Sequence, residues 1–87
     1  MKLHIIYTES AMLLSKTEYA TWQDVQRDFP GYKASLGPWP DAEVVEYLDE
    51  EYPDISPGAR TQVAELRESE SAFSVVRFDS FGRKQIA

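Results

Sequence analysis

The chain has 87 residues, no cysteine, and a net charge of −6 from 15 acids and 9 bases. That length holds one domain with a modest core, and a chain that is 43% hydrophobic and 13% aromatic is too apolar for a disordered segment. Without cysteine there is no disulfide staple, thiolate nucleophile or zinc–thiolate site, and no apolar run approaches the roughly 20 residues that span a bilayer.

The first seven residues, Met1 to Tyr7, are too short and too mixed for a signal peptide, so a cytoplasmic location is the expectation. Lys2 to Thr8 reads as a strand. Leu3, Ile5, Ile6 and Tyr7 place apolar groups on both of its faces, which predicts a central or doubly covered position. His4 alternates with Ile5 and reads as a structural or surface residue. Ala11 to Tyr19 supports two readings. Met12, Leu13 and Leu14 favour helix with Ser10 as N-cap, whereas Thr17 and Tyr19 suit a strand that pairs with the first as a hairpin. The hairpin is favoured because a fresh helix cap follows at once.

That cap is Thr21, in Thr21-Trp22-Gln23-Asp24, which reads as a capping box with Asp in place of Glu or Gln. Trp22, Val25 and Phe29 then form an apolar stripe expected to be core, and Pro30-Gly31 ends the helix. Tyr32 to Trp39 reads as a connection, because Gly37-Pro38 and Trp39-Pro40 both interrupt regular structure. Trp39, held extended between two prolines, is expected to fold back over the core or to stand out as a recognition residue.

A second helix is predicted between Pro40 and Pro53. Asp41 suits its positive end, and Pro53 stops it. At about 100° per residue, Val44, Val45, Leu48 and Tyr52 share one side. Glu43, Glu46, Asp49 and Glu50 share the other, with Tyr47 and Glu51 on a flank. Ser56-Pro57 then reads as the cap and first position of a third helix. Ala59, Val63 and Leu66 form its apolar stripe, and Arg60, Gln62, Glu65, Arg67 and Glu68 its wet side. Ala72 to Asp79, with Phe73, Val75, Val76 and Phe78, is the strongest strand signal. Asp79 to Gly82 reads as a turn and Arg83 to Ala87 as a short edge strand, with Arg77, Arg83 and Lys84 protecting that edge. The predicted fold class is α+β: a small antiparallel sheet from the N- and C-terminal segments, packed against two or three central helices in a single domain over residues 1–87.

The acidity is local. Residues 41–54 contain seven acids and no base, while the rest of the chain carries eight acids against nine bases. Glu43 with Glu46, and Glu46 with Glu50, are like charges one turn apart, each pair unfavourable by about 0.2–0.5 kcal/mol. Such a row is either a solvated face that keeps a small protein soluble or a surface that meets a basic partner. A divalent-ion site is a weaker third reading, since no EF-hand spacing is present.

Catalytic patterns are missing. With one histidine and no cysteine there is neither a Cys–His pair nor a multi-histidine metal set. The four glycines are too scattered for a P-loop or a dinucleotide fingerprint, and there is no Gly-x-Ser-x-Gly elbow. The expectation is a non-enzyme without cofactor or metal that binds neither membrane nor nucleic acid directly. Its predicted contact residues for a basic protein surface are Trp39, Glu43, Glu46, Tyr47, Asp49 and Glu50. In size and charge the chain resembles the small acidic proteins of phages and mobile elements that block host nucleases or other nucleic-acid-binding complexes, anti-CRISPR proteins among them. Strict DNA mimicry fits less well. Duplex DNA carries one charge per ~1.7 Å, so the ~21 Å of residues 41–54 corresponds to about 12 charges, against the seven present. The alternative is an assembly subunit that forms a homodimer through a sheet edge or an aromatic face.

Overall fold

A computed structural model of the protein describes residues 1–78. Its elements are β1 (Lys2–Thr8), β2 (Met12–Ser15), α1 (Trp22–Asp28), β3 (Tyr32–Pro40), α2 (Asp41–Glu51), α3 (Ala59–Glu68) and β4 (Phe73–Val75). The four strands form one antiparallel sheet in the order β3-β1-β2-β4, so the fold is α+β with the C-terminal strand β4 joined to the N-terminal β1–β2 hairpin. The turn and edge strand expected over Asp79 to Ala87, with Arg83 and Lys84, lie outside the described residues.

β1 is central and covered on both faces. Its alternation sends Leu3 and Ile5 to one side, where Met12 and Leu14 of β2 join Val44 and Leu48 of α2 and Ala59, Val63 and Leu66 of α3. Ile6 and Leu13 point the other way, beneath Val25 and Phe29. Leu3, Ile5 and Ile6 are fully buried, and each such side chain is worth about 1.5–3 kcal/mol over its exposed state. β1 and β2 form the expected hairpin, in register from His4↔Ser15 to Tyr7↔Met12. The turn is clamped by Thr8, whose amide and hydroxyl both donate to the Ala11 carbonyl while its Oγ1 accepts the Ala11 N–H. The strand covers 12–15 rather than the whole of 11–19, because the chain leaves β2 to reach α1.

The connection expected at Tyr32 to Trp39 is instead the nine-residue strand β3. Its prolines are tolerated because β3 is an edge, where a missing N–H leaves no ladder bond unmade. Its pairing shifts between Leu3↔Trp39 and Ile5↔Leu36, so Gly37 and Pro38 together oppose His4 in a bulge. Gly37 has φ +105°, and a Cβ there would lie 2.7 Å from the Leu3 carbonyl oxygen.

Other expectations are corrected. Thr21 precedes α1 but its side chain makes no capping bond, and Asp24 pairs with Arg27 at 3.2 Å instead. Trp22 is 56% exposed rather than core; α1 is only two turns long, and Val25 and Phe29 alone fill its buried side. Trp22 lies parallel to Tyr32, with ring centroids 6.4 Å apart. α3 starts after Gly58, not at Ser56-Pro57, because Ile55 is held back in a β-bridge to Phe78. Gln62 is buried, not wet. Its Nε2 donates to the carbonyls of Pro57 (2.7 Å) and Arg77 (2.9 Å), and its Oε1 accepts the Arg77 N–H (2.9 Å). The strongest strand signal, Ala72 to Asp79, yields only a three-residue edge strand. From Arg77 on, the chain is tied to Gln62 and to the loop before α3 in place of β2.

Two stability experiments follow from this framework. Gly37→Ala is expected to lose about 1–3 kcal/mol in urea unfolding, because the left-handed backbone and the Leu3 carbonyl both resist a Cβ. Gln62→Ala is expected to lose about 1–3 kcal/mol by the same measurement, since it removes three hydrogen bonds of a buried side chain and leaves the part-buried Arg77 amide without its partner.

Candidate functional site

Pro40 ends β3 and serves as the N-cap of α2, so the chain passes from sheet to helix without a loop. Asp41 and Glu43 occupy the first turn, where carboxylates meet the positive end of the helix dipole. Val44 and Leu48 are fully buried, and Val45 and Tyr52 pack against the same core. With that side locked onto the sheet, the opposite side must face water. Glu43, Glu46, Asp49 and Glu50 are all exposed.

Trp39, half-buried at the end of β3, meets Tyr47 edge-to-face with ring centroids 5.4 Å apart. Trp39, Glu43, Glu46, Tyr47 and Glu50 together line an open groove of about 310 Å³. The helix period explains the set, since residues 43, 46, 47 and 50 fall within an arc of about 100°. Asp49 lies about 60° outside that arc and does not line the groove.

The acidic stretch is not uniformly free. Asp41 turns toward α3 and pairs with Arg67 at 2.9 Å. Among the described residues, Glu43, Glu46 and Glu50 have no Lys or Arg ion-pair partner. Glu65 of α3, an acid outside this stretch, is paired with Arg77 and so does not extend the row as a free charge. Arg77, expected to protect a sheet edge, is thereby engaged. Among the described residues no group of three or more His, Asp or Glu side chains is arranged to hold a metal ion, so the acidic face is a row and not a cage. No helix of the described residues is long and apolar enough to cross a membrane.

Beneath the groove lies a phenol network that the sequence reading does not contain. Tyr7 of β1 shares its hydroxyl with Tyr47 (3.0 Å) and Tyr52 (3.1 Å). Tyr52 continues the aromatic chain to Phe78, 5.7 Å away between centroids. Period two was the available signal, since it sets Tyr7 on the same face as Leu3 and Ile5, toward α2. Burial, and then the hydrogen bonds to Tyr47 and Tyr52, hold the Tyr7 phenol far above its usual titration range. The hydroxyl that anchors Tyr47 is therefore neutral, and the formal charges on the groove are the three glutamates.

His4 points to the opposite side of the sheet and makes no hydrogen bond to a described Ser, Asp or Glu. Comparison with known protein families, with characterised proteins and with solved structures finds no match to this chain.

Tyr7→Phe is expected to lose about 1–2 kcal/mol at neutral pH, because Tyr47 and Tyr52 both lose their shared partner. A raised phenol pKa in the folded state favours the neutral form, so its contribution is full below pH 10 and fades as pH rises beyond it. The gap between wild type and Tyr7→Phe in urea midpoint is thus expected to narrow above pH 10. A gap that stays constant or widens there would contradict this assignment.

Proposed function

We propose that this protein is a non-catalytic binding module that docks the groove of α2 onto a basic protein surface. The observation that carries the reading is the convergence of Glu43, Glu46 and Glu50, none of them ion-paired among the described residues, on a groove walled by Trp39 and Tyr47. Carboxylates supply steering and register, and an aromatic wall supplies area and a surface for a guanidinium or ammonium. Trp and Tyr are also the residue types that most often dominate binding energy at interfaces. A solvated face kept only for solubility needs no aromatic pair among its glutamates.

The finer reading is an inhibitor of a nucleic-acid-binding complex, whose basic surface offers the matching charge. Seven acids in this stretch, one of them paired with Arg67, fit a local docking face better than an imitation of a duplex. A second reading, self-association, is favoured by Phe73 and Val75, 45% and 50% exposed on the edge strand β4. Three residues make a short edge for pairing, which ranks this reading below the groove.

Charge reversal separates these readings. Glu46→Lys converts three repulsive one-turn pairs, with Glu43, Asp49 and Glu50, into attractive ones and is expected to stabilise the fold by about 1 kcal/mol or more. Glu43, Glu46 and Glu50 changed together to Lys are expected to leave the circular dichroism spectrum unchanged. The same triple variant is expected to weaken capture of the wild-type partner from source-cell extract by about tenfold or more. Recovery of the same partners by the triple variant would refute docking through this groove. A dimer by light scattering that Val75→Lys converts to monomer would favour self-association.

A further inference from the structure

One half of the sheet face under α1 is not filled by α1. Ile6 and Leu13 pack beneath Val25 and Phe29, but His4, two residues before Ile6 on the same face, meets Tyr19 from the segment joining β2 to α1. The rings are edge-to-face, 5.2 Å apart between centroids. Beside them opens a cleft of about 520 Å³ lined by Lys2, His4, Lys16, Glu18, Tyr19 and Pro38 among others. A second recess of about 240 Å³ shares His4, Tyr19 and Pro38 and extends to Trp22. Clefts of this size suit small molecules.

His4 is the residue that sets this cleft apart. Three polar side chains are buried among the described residues: His4, Ser15 and Gln62. Gln62 makes three hydrogen bonds, and Ser15 accepts one from the Thr17 amide. His4, only 7% exposed, has no hydrogen-bond partner among the described residues. Among the described residues no side-chain nitrogen or oxygen is both sealed from outside and unpartnered, so the polar edge of the imidazole opens into the cleft. The imidazole edge is therefore available to a partner from outside the chain, water or a ligand. Burial lowers the pKa of His4, so the ring is neutral at pH 7 and offers one donor and one acceptor.

The charges around it are few. Arg27, Arg67 and Arg77 are tied to carboxylates, whereas Lys2 has no ion-pair partner among the described residues and lines the cleft. The Lys16 ammonium is held by the carbonyls of Leu66 (2.9 Å) and Ser69 (2.8 Å), which leaves its stem as wall. Glu18 is the single acid at the cleft among the described residues. The geometry points to a binding site for a small planar ring compound bearing one carboxylate or phosphate group. Lys2 takes the anion, the imidazole N–H of His4 donates to it from the floor, and Tyr19 and Pro38 flank the ring. This site lies on the sheet face opposite α2 and does not depend on the docking groove.

The test is a titration of the full chain, followed by NMR of backbone amides and of the His4 ring nitrogens, with benzoate, adenosine monophosphate and inorganic phosphate as probes. At least one ring-bearing probe is expected to give saturable shifts at Lys2, His4, Thr17 and Tyr19 with a Kd of about 1 mM or tighter, and phosphate alone to bind about tenfold more weakly. Lys2→Gln, at an exposed position that leaves the fold intact, is expected to weaken that binding about three- to tenfold, and Glu18→Gln to tighten it by a similar factor. No saturable shift from either ring probe at about 10 mM would overturn the site. Binding indifferent to both charge variants would overturn the anionic class, and phosphate binding as well as the ring probes would overturn the role of the ring.

Discussion

The structure depends on a strand with no wet side. Leu3 and Ile5 of β1 face one layer, Ile6 and His4 face the other, and none of the four can be moved to solvent without exposing apolar surface or shifting the register of the whole sheet. Two-sided burial demands helices on both faces. The α2–α3 pair fills one side with five fully or nearly fully buried side chains, while the two-turn α1 fills part of the other. The edges β3 and β4 then hold the irregular features, a bulge at Gly37 and a three-residue strand at Phe73–Val75.

That arrangement decides where the charge goes. Once Val44 and Leu48 are locked against Leu3 and Ile5, the helix cannot rotate, and the glutamates at the opposite side of its wheel are presented as a fixed row. Tyr7 reinforces the link. It is a β1 residue whose hydroxyl ties down Tyr47 in the groove and Tyr52 at the helix end. The row keeps like charges one turn apart without described cations to relieve them, although Lys in place of a single glutamate would remove the repulsion. An aromatic wall standing among those charges gives the row a shape as well as a sign.

The two faces of the sheet offer different chemistry. The α2 side carries negative charge over a neutral, hydrogen-bonded phenol network. The other side has a cleft with a lysine and a buried imidazole that have no partner among the described residues. The groove lies on the outer side of α2, whereas the cleft sits where helix coverage of the opposite sheet face runs out.

The α+β class, the central position of β1, the bounds of α2 between its prolines and the local concentration of acid were all legible from residue order, because period, proline and charge act over a few neighbouring residues. The strand β3 was not, since Gly37-Pro38 and Trp39-Pro40 break regular structure everywhere except at a sheet edge, and edge position is a property of the assembled sheet. Gln62 read as wet and Trp22 as core because helical phase alone cannot say which residues the rest of the chain comes back to cover. The return of Arg77 onto Gln62, the meeting of Tyr7, Tyr47 and Tyr52 across about 40 residues of chain, and the cleft beside His4 were decided by tertiary packing. They are contacts between segments distant in sequence, and no local pattern encodes them.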